Sequence, residues 1–406
     1  MISAFTNARI VCPTGGIRTG TLLVDGETIV ANDASAAAPA DATVIDCGGK
    51  TLTPGIVDLG AFAVDKGACR DGGVVRVGLM PDQSPVLDDP GIIRRAATMG
   101  KPELWVHPLG AATQGLAGKD LAEMAINAGA GARAVATGRH WIADAGLMRR
   151  LLAYATDLGL TVVSHAEDSG LTAGAVATEG LTATLLGLPA APAIAEALAI
   201  ARDLMLAEDT GARLHIRQVT TAAGFDLVRA AKRRGVAVTC GITPAHLMLS
   251  DIAVNDFRTY AHLSPPLRSE ADRQACLTAL ADCTIDVLAS GDDPRGAEAK
   301  RLPFEDSSPG AAGTRTLLAL ALGLARDVDM ELDRLFALLA ANPARVLGLN
   351  TGTLAPGQPA DLILFDAGTP WQIDTTVIGN TPFDGMPVQG RVLRMFKGGK
   401  EIPARG

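Results

Sequence analysis

Aromatic residues are scarce in this 406-residue chain: Phe, Trp and Tyr together make up 3% of it, which argues against a surface that binds bases or sugars by stacking. Cysteine is equally unpatterned. Cys12, Cys47, Cys69, Cys240, Cys276 and Cys283 form no CxxC pair, which excludes a zinc knuckle and a dithiol redox motif, and they read as reduced, buried thiols. No surplus of positive charge exists: 36 Lys and Arg face 44 Asp and Glu, a net charge of −8 that offers no phosphate-tracking surface to a nucleic acid. No run approaches the ~18 uninterrupted apolar residues of a membrane span. The opening MISAFTNARIVCPTGG lacks the charged-then-apolar order of a secretion signal, so neither a membrane segment nor export is expected and the cytoplasm is the expected compartment. What is present, 48% hydrophobic and 20% charged residues, is the composition of a globular chain with a sizeable core.

The stretch from Met1 to Leu52 predicts short strands (AFTNARIV, GTLLVDGETIVAND, ATVIDCGGKTL) separated by Gly, Asn and Asp turn residues. From Pro54 the pattern changes to about eight short apolar runs, namely GIVDL, VVRVGLM, ELWVHPL, RAVAT, LTVVS, RLHIRQV, VAVTC and IDVLA. Amphipathic helical stretches such as DAGLMRRLLAYATDLG, AIAEALAIARDLMLAEDTG and GFDLVRAAKRRG separate several of them. Strands alternating with helices over this length predict a (β/α)8 barrel. From Thr351 the sequence returns to turn-rich β character, so residues 1–53 and 351–406 are expected to form one composite small β-domain, with the barrel spanning 54–350. Between the first two barrel runs lies only AVDKGACRDGG, too short for a full crossover helix, so the first helix is expected to be missing or degenerate.

Ordered words along the whole chain resemble dihydroorotases of the longer, type I class, within the amidohydrolases. They include TPGIVDL (Thr53–Leu59), MPDQSPV (Met80–Val86), SHAED (Ser164–Asp168), the run from Val219 to Leu249, and SPPLRSEADR (Ser264–Arg273). LPFEDSSPGAAGTRT (Leu302–Thr316), NPARVLGL (Asn342–Leu349), GTLAPGQPADLILFD (Gly352–Asp366) and NTPFDG (Asn380–Gly385) follow. The resemblance implies hydrolysis or closure of a cyclic amide at one or two divalent metals whose hydroxide is the nucleophile, at the C-terminal face of the barrel.

The same resemblance locates what is missing. The HxH pair that closes the family's first strand reads Gly60 and Phe62, and the bridging Asp of an SDDG-like word reads Thr137 within Ala136–Thr137–Gly138–Arg139. The HVST histidine reads Gln218, and the catalytic Asp of an (S/T)DHAP word reads Gly291. His165 alone survives as an aligned ligand. His215 lies three residues before Gln218, so it is expected to face the other side of its strand. Substrate-holding positions change in parallel: Val64 stands for an Arg, Asp82 for the Asn of MPNT, and Ser264 for the Asn before PPLR. One neutral imidazole does not hold a catalytic divalent ion, so no binuclear centre and no cofactor are expected.

Several features read as structural. Asp292–Asp293 suits an Asx turn or cap more than an acid/base dyad, Glu167–Asp168 suits capping or pairing, and His246 suits a helix start. His107, His140 and His262 have no partner words, the glycines of GAATQGLAG lack a phosphate-loop pattern, and Arg149–Arg150 and Lys232–Arg233–Arg234 read as solvated helix faces.

The resulting expectation is a dihydroorotase-like pseudoenzyme retained for its surfaces. By resemblance, its partner would be the aspartate carbamoyltransferase catalytic chain of pyrimidine (UMP) biosynthesis, in a hetero-oligomer or alongside self-association, with no nucleic-acid or membrane partner. The alternative is an active, zinc-dependent hydrolase of a cyclic amide with a rearranged site drawn from His165, His215, His246, Asp292 and Asp293, the catalytic roles falling to Asp292, Asp293 and His246. A ligand-sensing role for the pocket is the third reading.

Overall fold

The computed structural model describes residues 2–33 and 38–403. The N-terminal strands are β1 (Ile2–Cys12), β2 (Gly16–Asp25), β3 (Thr28–Asp33), β4 (Thr43–Asp46) and β5 (Thr51–Pro54). The barrel strands are β6 (Ile56–Ala61), β7 (Val74–Leu79), β8 (Trp105–Ala111), β9 (Ala134–Ala136) and β10 (Thr161–Ser164). After a two-residue ladder of β11 (Ala177–Thr178) and β12 (Ala190–Ala191) come β13 (Arg213–Ile216), β14 (Val238–Ile242) and β15 (Val287–Leu288). The tail contributes β16 (Leu362–Gln372), β17 (Pro387–Lys397) and β18 (Lys400–Ile402).

All eight runs predicted as barrel strands contain a strand, and these pair in parallel in the order β6-β7-β8-β9-β10-β13-β14-β15. Parallel strands covered on both faces tolerate continuous apolar runs, and every residue of β6 and β7 is buried. The first and last strands meet: the Phe62 amide donates to the Asp292 carbonyl at 2.8 Å, and the Ser290 amide to Asp58 Oδ1 at 2.9 Å. The fold is thus a nearly closed (β/α)8 barrel. Val57, Leu59, Leu109, Ala134, Val163 and Val287 pack inside it, while amphipathic helices such as Ala145–Asp157, capped by the Asp144 carboxylate on the Leu147 amide at 2.7 Å, cover it.

A second, mixed sheet runs β18-β17-β16-β5-β1-β2-β3, with β4 beside β1, so strands from both ends of the chain share one layer. A buried ion pair ties this layer to the barrel. Arg76 of β7 donates through Nε to Asp361 Oδ2 at 2.8 Å, and the other carboxylate oxygen takes the Trp105 indole at 3.2 Å and the Gly398 amide at 2.8 Å.

The first crossover is short rather than missing. Residues Lys66–Gly72 form a seven-residue helix, begun by the Asp65 carboxylate on the Ala68 amide and ended by Gly73 at φ 75°. Gly72 lies against backbone: a Cβ there would stand 2.0 Å from the Thr314 carbonyl oxygen. Gly72→Ala is therefore expected to cost about 3 kcal/mol, whereas Gly129→Ala, with nothing within 4 Å, should be neutral or stabilising by about 0.5–1 kcal/mol. Equal melting temperatures for the two variants would refute this reading of the first crossover.

The thiols need one correction. Cys12, Cys47, Cys69, Cys240 and Cys276 are buried, but Cys283 is exposed, at φ 66° beyond the end of helix Glu270–Ala281. All six are free. The basic helix faces are salted by neighbours: Arg149 pairs with Asp209, Lys232 with Asp286 and Arg234 with Glu208. Among the described residues, no helix is long and apolar enough to cross a membrane.

Candidate functional site

The C-terminal ends of the barrel strands open on a cavity of about 300 Å³, where a barrel of this kind carries its functional residues. Phe62 follows β6, Arg139 follows β9, His165 and Glu167 follow β10, Arg217 and Gln218 follow β13, His246 follows β14, and Gly291 and Asp293 follow β15; all line it. Of the residues named for a rearranged site, His165, His246 and Asp293 meet here. Asp292 and His215 do not line the cavity. Asp292 turns away to accept the Gly313 and Thr314 amides at 2.8 and 3.1 Å. His215 is engaged with Thr239 Oγ1 at 2.8 Å on the neighbouring strand.

A charged relay occupies the floor. Arg268, with 2% of its side chain exposed, donates to Glu167 Oε1 at 2.7 Å and to Thr220 and Thr178 hydroxyls at 2.9 and 3.1 Å, and lies 3.5 Å from Glu196. Glu167 lies 3.2 Å from His165 Nε2, and His165 Nδ1 lies 3.1 Å from the Arg217 guanidinium. Burial alone would raise Glu167, but the hydrogen bond from His165 and the charge of Arg268 hold it down at about 2. Burial lowers the His165 pKa and, opposing the nearby Asp82 and Asp293, lowers Arg217 to about 10. His165 is thus a neutral imidazole between an anion and a cation, which fixes its tautomer: Nε2–H donates to Glu167, and the Nδ1 lone pair accepts from Arg217.

His246 is committed in the same manner. Its Nε2 donates to the Pro265 carbonyl at 3.0 Å, leaving Nδ1 to accept from Thr243 Oγ1 at 2.8 Å, and burial lowers its pKa to about 4. A metal needs an imidazole with a free lone pair, and neither histidine has one. Among the described residues no group of three or more His, Cys, Asp and Glu is arranged to hold a metal ion. The zinc that the resemblance implies does not fit this donor set.

The rim carries arginines that the sequence reading did not single out. The Arg139 amide donates to Asp82 Oδ1 at 3.0 Å, and its guanidinium forks onto Asp293 at 3.1 and 2.7 Å while lying 3.9 Å from the Phe62 ring centroid. Arg295 holds the other side of Asp293 at 2.8 Å. Strand parity gave no signal for Arg217: counted from His215 it falls on the face opposite Gln218, yet both line the cavity, because the strand ends at Ile216.

The Amidohydrolase family profile matches residues 113–402. A dihydroorotase of Geobacter sp. (strain M21) is 35% identical, with 98% of both chains covered. The chain belongs to the dihydroorotase family of amidohydrolases. Also similar, at 36% identity with 97% of both chains covered, is a dihydroorotase-like protein of Pseudomonas aeruginosa. In fold, this dihydroorotase-family chain matches an L-hydantoinase (dihydropyrimidinase) from Arthrobacter aurescens with a TM-score of 0.87 at 23% identity, over 100% of this chain and 97% of that one.

Within that family frame, the altered ligand positions have new occupants. Gly60 sits at a register shift of β6 with φ 96°, and the Arg217 side chain runs beside it. Phe62 presents its ring to Arg139 and Arg217. Thr137 Oγ1 accepts the His165 amide at 3.0 Å, Gln218 lines the cavity, and Gly291 has φ 66° with Thr243 so close that a Cβ would meet its methyl at 2.7 Å. The remaining histidines are structural neighbours: His107 lies 3.2 Å from Arg76, and His262 bonds Ser307 at 2.8 Å and stacks on Phe304. His140 lines the cavity rim. Asp168 caps helix Ser169–Thr172.

Proposed function

We propose that this dihydroorotase-family protein is a pseudoenzyme: a non-catalytic structural or regulatory subunit of aspartate carbamoyltransferase in pyrimidine biosynthesis, with no resident metal. The observation that carries the first part is the full engagement of His165, whose two nitrogens serve Glu167 and Arg217, so that no lone pair remains for a cation. Support comes also from the altered positions 60, 62, 137, 218 and 291, which carry Gly, Phe, Thr, Gln and Gly. The partner follows from the resemblance alone, and the words retained in this chain are those that build strands, helices and interfaces rather than chemistry.

A second reading, an active hydrolase of a cyclic amide with a rearranged metal site, is favoured by the names of most of the similar proteins, which are dihydroorotases matched over nearly their whole length. Protein purified without chelator separates the two. Under the first reading it carries well below one equivalent of zinc by elemental analysis, turns over dihydroorotate at background rate, and His165→Ala changes neither. One equivalent of zinc, with activity abolished by chelation and by His165→Ala, would establish the second. Native co-purification followed by sizing tests the partner: elution apart from aspartate carbamoyltransferase refutes the scaffolding role.

A further inference from the structure

The family's metal positions converge on one side chain. Arg217 passes Gly60, where a Cβ would meet its Cδ at 3.5 Å and its Cγ at 3.6 Å. Its guanidinium lies 5.2 Å from the Phe62 ring centroid and 3.1 Å from His165 Nδ1. The residues that replace the HxH pair and the one surviving ligand therefore all face the same guanidinium, and the place of a divalent cation is taken by a monovalent one built into the chain.

No carboxylate pairs directly with this cation among the described residues, although Asp82 and Asp293 lie near it. Arg139 and Arg295 are spent on Asp293, Glu167 is engaged by Arg268, and Asp82 is engaged by Arg139 through Oδ1 alone, its buried Oδ2 having no hydrogen-bond partner among the described residues. Among the described residues Arg217, only 5% exposed, forms no ion pair, and its Nε–H has no hydrogen-bond partner. A buried guanidinium left in this condition is costly unless an anion meets it. Beside it, Gln218 Oε1 is another buried polar atom without a partner among the described residues, and the cavity both residues line has apolar walls at Val176, Leu263, Leu320 and Phe383.

We propose that the barrel mouth binds a small carboxylate with an apolar body, its carboxylate pairing with Arg217 and its body lying against those walls. A carboxylate matches the planar fork of a guanidinium, and the walls offer an aromatic or branched body more than they offer a bare inorganic anion. The proposal rests on the metal-free reading of the site.

Calorimetric titration and thermal melting of the full-length protein with benzoate, benzamide and inorganic phosphate test it. Benzoate is expected to bind at one site per chain with a Kd of about 1 mM or tighter and to raise the melting temperature, with benzamide and phosphate at least about tenfold weaker. Arg217→Met should weaken benzoate at least about tenfold. Because that variant disturbs a buried network, Leu320→Trp, which fills the cavity and leaves Arg217 in place, should also abolish binding. No saturable benzoate binding, equal binding of benzamide or phosphate, or unchanged binding in Leu320→Trp overturns the proposal. Zinc is measured on the same preparation. Stoichiometric zinc overturns the metal-free reading and this inference together, whereas a metal-free protein that ignores benzoate overturns this inference alone.

Discussion

Arg268→Ala will lower stability by about 3–5 kcal/mol, read as a shift of the urea midpoint. Arg268 is the cation between two buried carboxylates: Glu196 is 0% exposed and Glu167 7%. Glu196 in turn anchors the turn after β13, accepting the Thr220 and Thr221 amides at 2.9 Å each and the Thr221 hydroxyl at 2.7 Å. Truncating the arginine leaves two negative charges facing one another with no water to screen them, a loss comparable to the whole stability of a marginal domain. Arg234→Ala is the control. Its pair with Glu208 is about half exposed, at 49% and 43%, so its loss should be small beside that of Arg268. A cost for Arg268→Ala no larger than that of the control would dispose of the buried-hub account.

The second large effect is the contribution of Asp292 to stability, which falls as the pH rises from about 4 to about 6. Burial raises Asp292 from 3.8 to about 6, and the neighbouring Asp58 carboxyl adds to the rise. Asp58 is itself raised by burial. The folded state holds a proton that the unfolded state releases, so this contribution is greatest below the unfolded pKa and is progressively lost until the folded pKa has been passed. A rise from 3.8 to about 6 corresponds to roughly 3 kcal/mol. Asn at 292 keeps an oxygen for the Gly313 and Thr314 amides and cannot ionise. Stability of Asp292→Asn minus that of the parent, from urea melts at pH 4, 5, 6 and 7, should therefore climb toward about 3 kcal/mol and then level off. Glu167, held at about 2, contributes in the opposite sense at lower pH, and the buried histidines, lowered to about 3 at His107 and His215 and to about 4 at His246 and His262, do so across the same range; all act in parent and variant alike and cancel in the difference. A flat difference across this range would mean that Asp292 is ionised in the fold at no cost.

The barrel was readable because buried parallel strands are apolar on both faces, and GIVDL, VVRVGLM and LTVVS are short, largely apolar runs whose charged residues are Asp58 and Arg76. The first crossover was legible as degenerate, because AVDKGACRDGG is too short for a full helix; the seven-residue helix itself, with glycine at two of its positions and no apolar period, was not. At the site, the absence of imidazoles at Gly60, Phe62 and Gln218 was legible from the ordered words around them. The replacements' purpose was not. Arg139 and Asp293 are 154 residues apart in sequence, and Arg268 and Glu167 101 apart; nothing local in either member announces the other. The committed lone pair of His165 is likewise a fact of three dimensions, since its partner Arg217 comes from another segment, whereas that of His246 is met locally by Thr243 and only its N–H reaches a distant partner, Pro265.

The stitch between Arg76 and Asp361 bears on how the molecule can be cut. Trimming the tail just before Asp361 would strip Arg76 and Trp105 of a common acceptor inside the wall of the barrel, not at its edge. The terminal layer is accordingly no detachable module, and an excised barrel should be recovered as insoluble protein rather than as a smaller working unit.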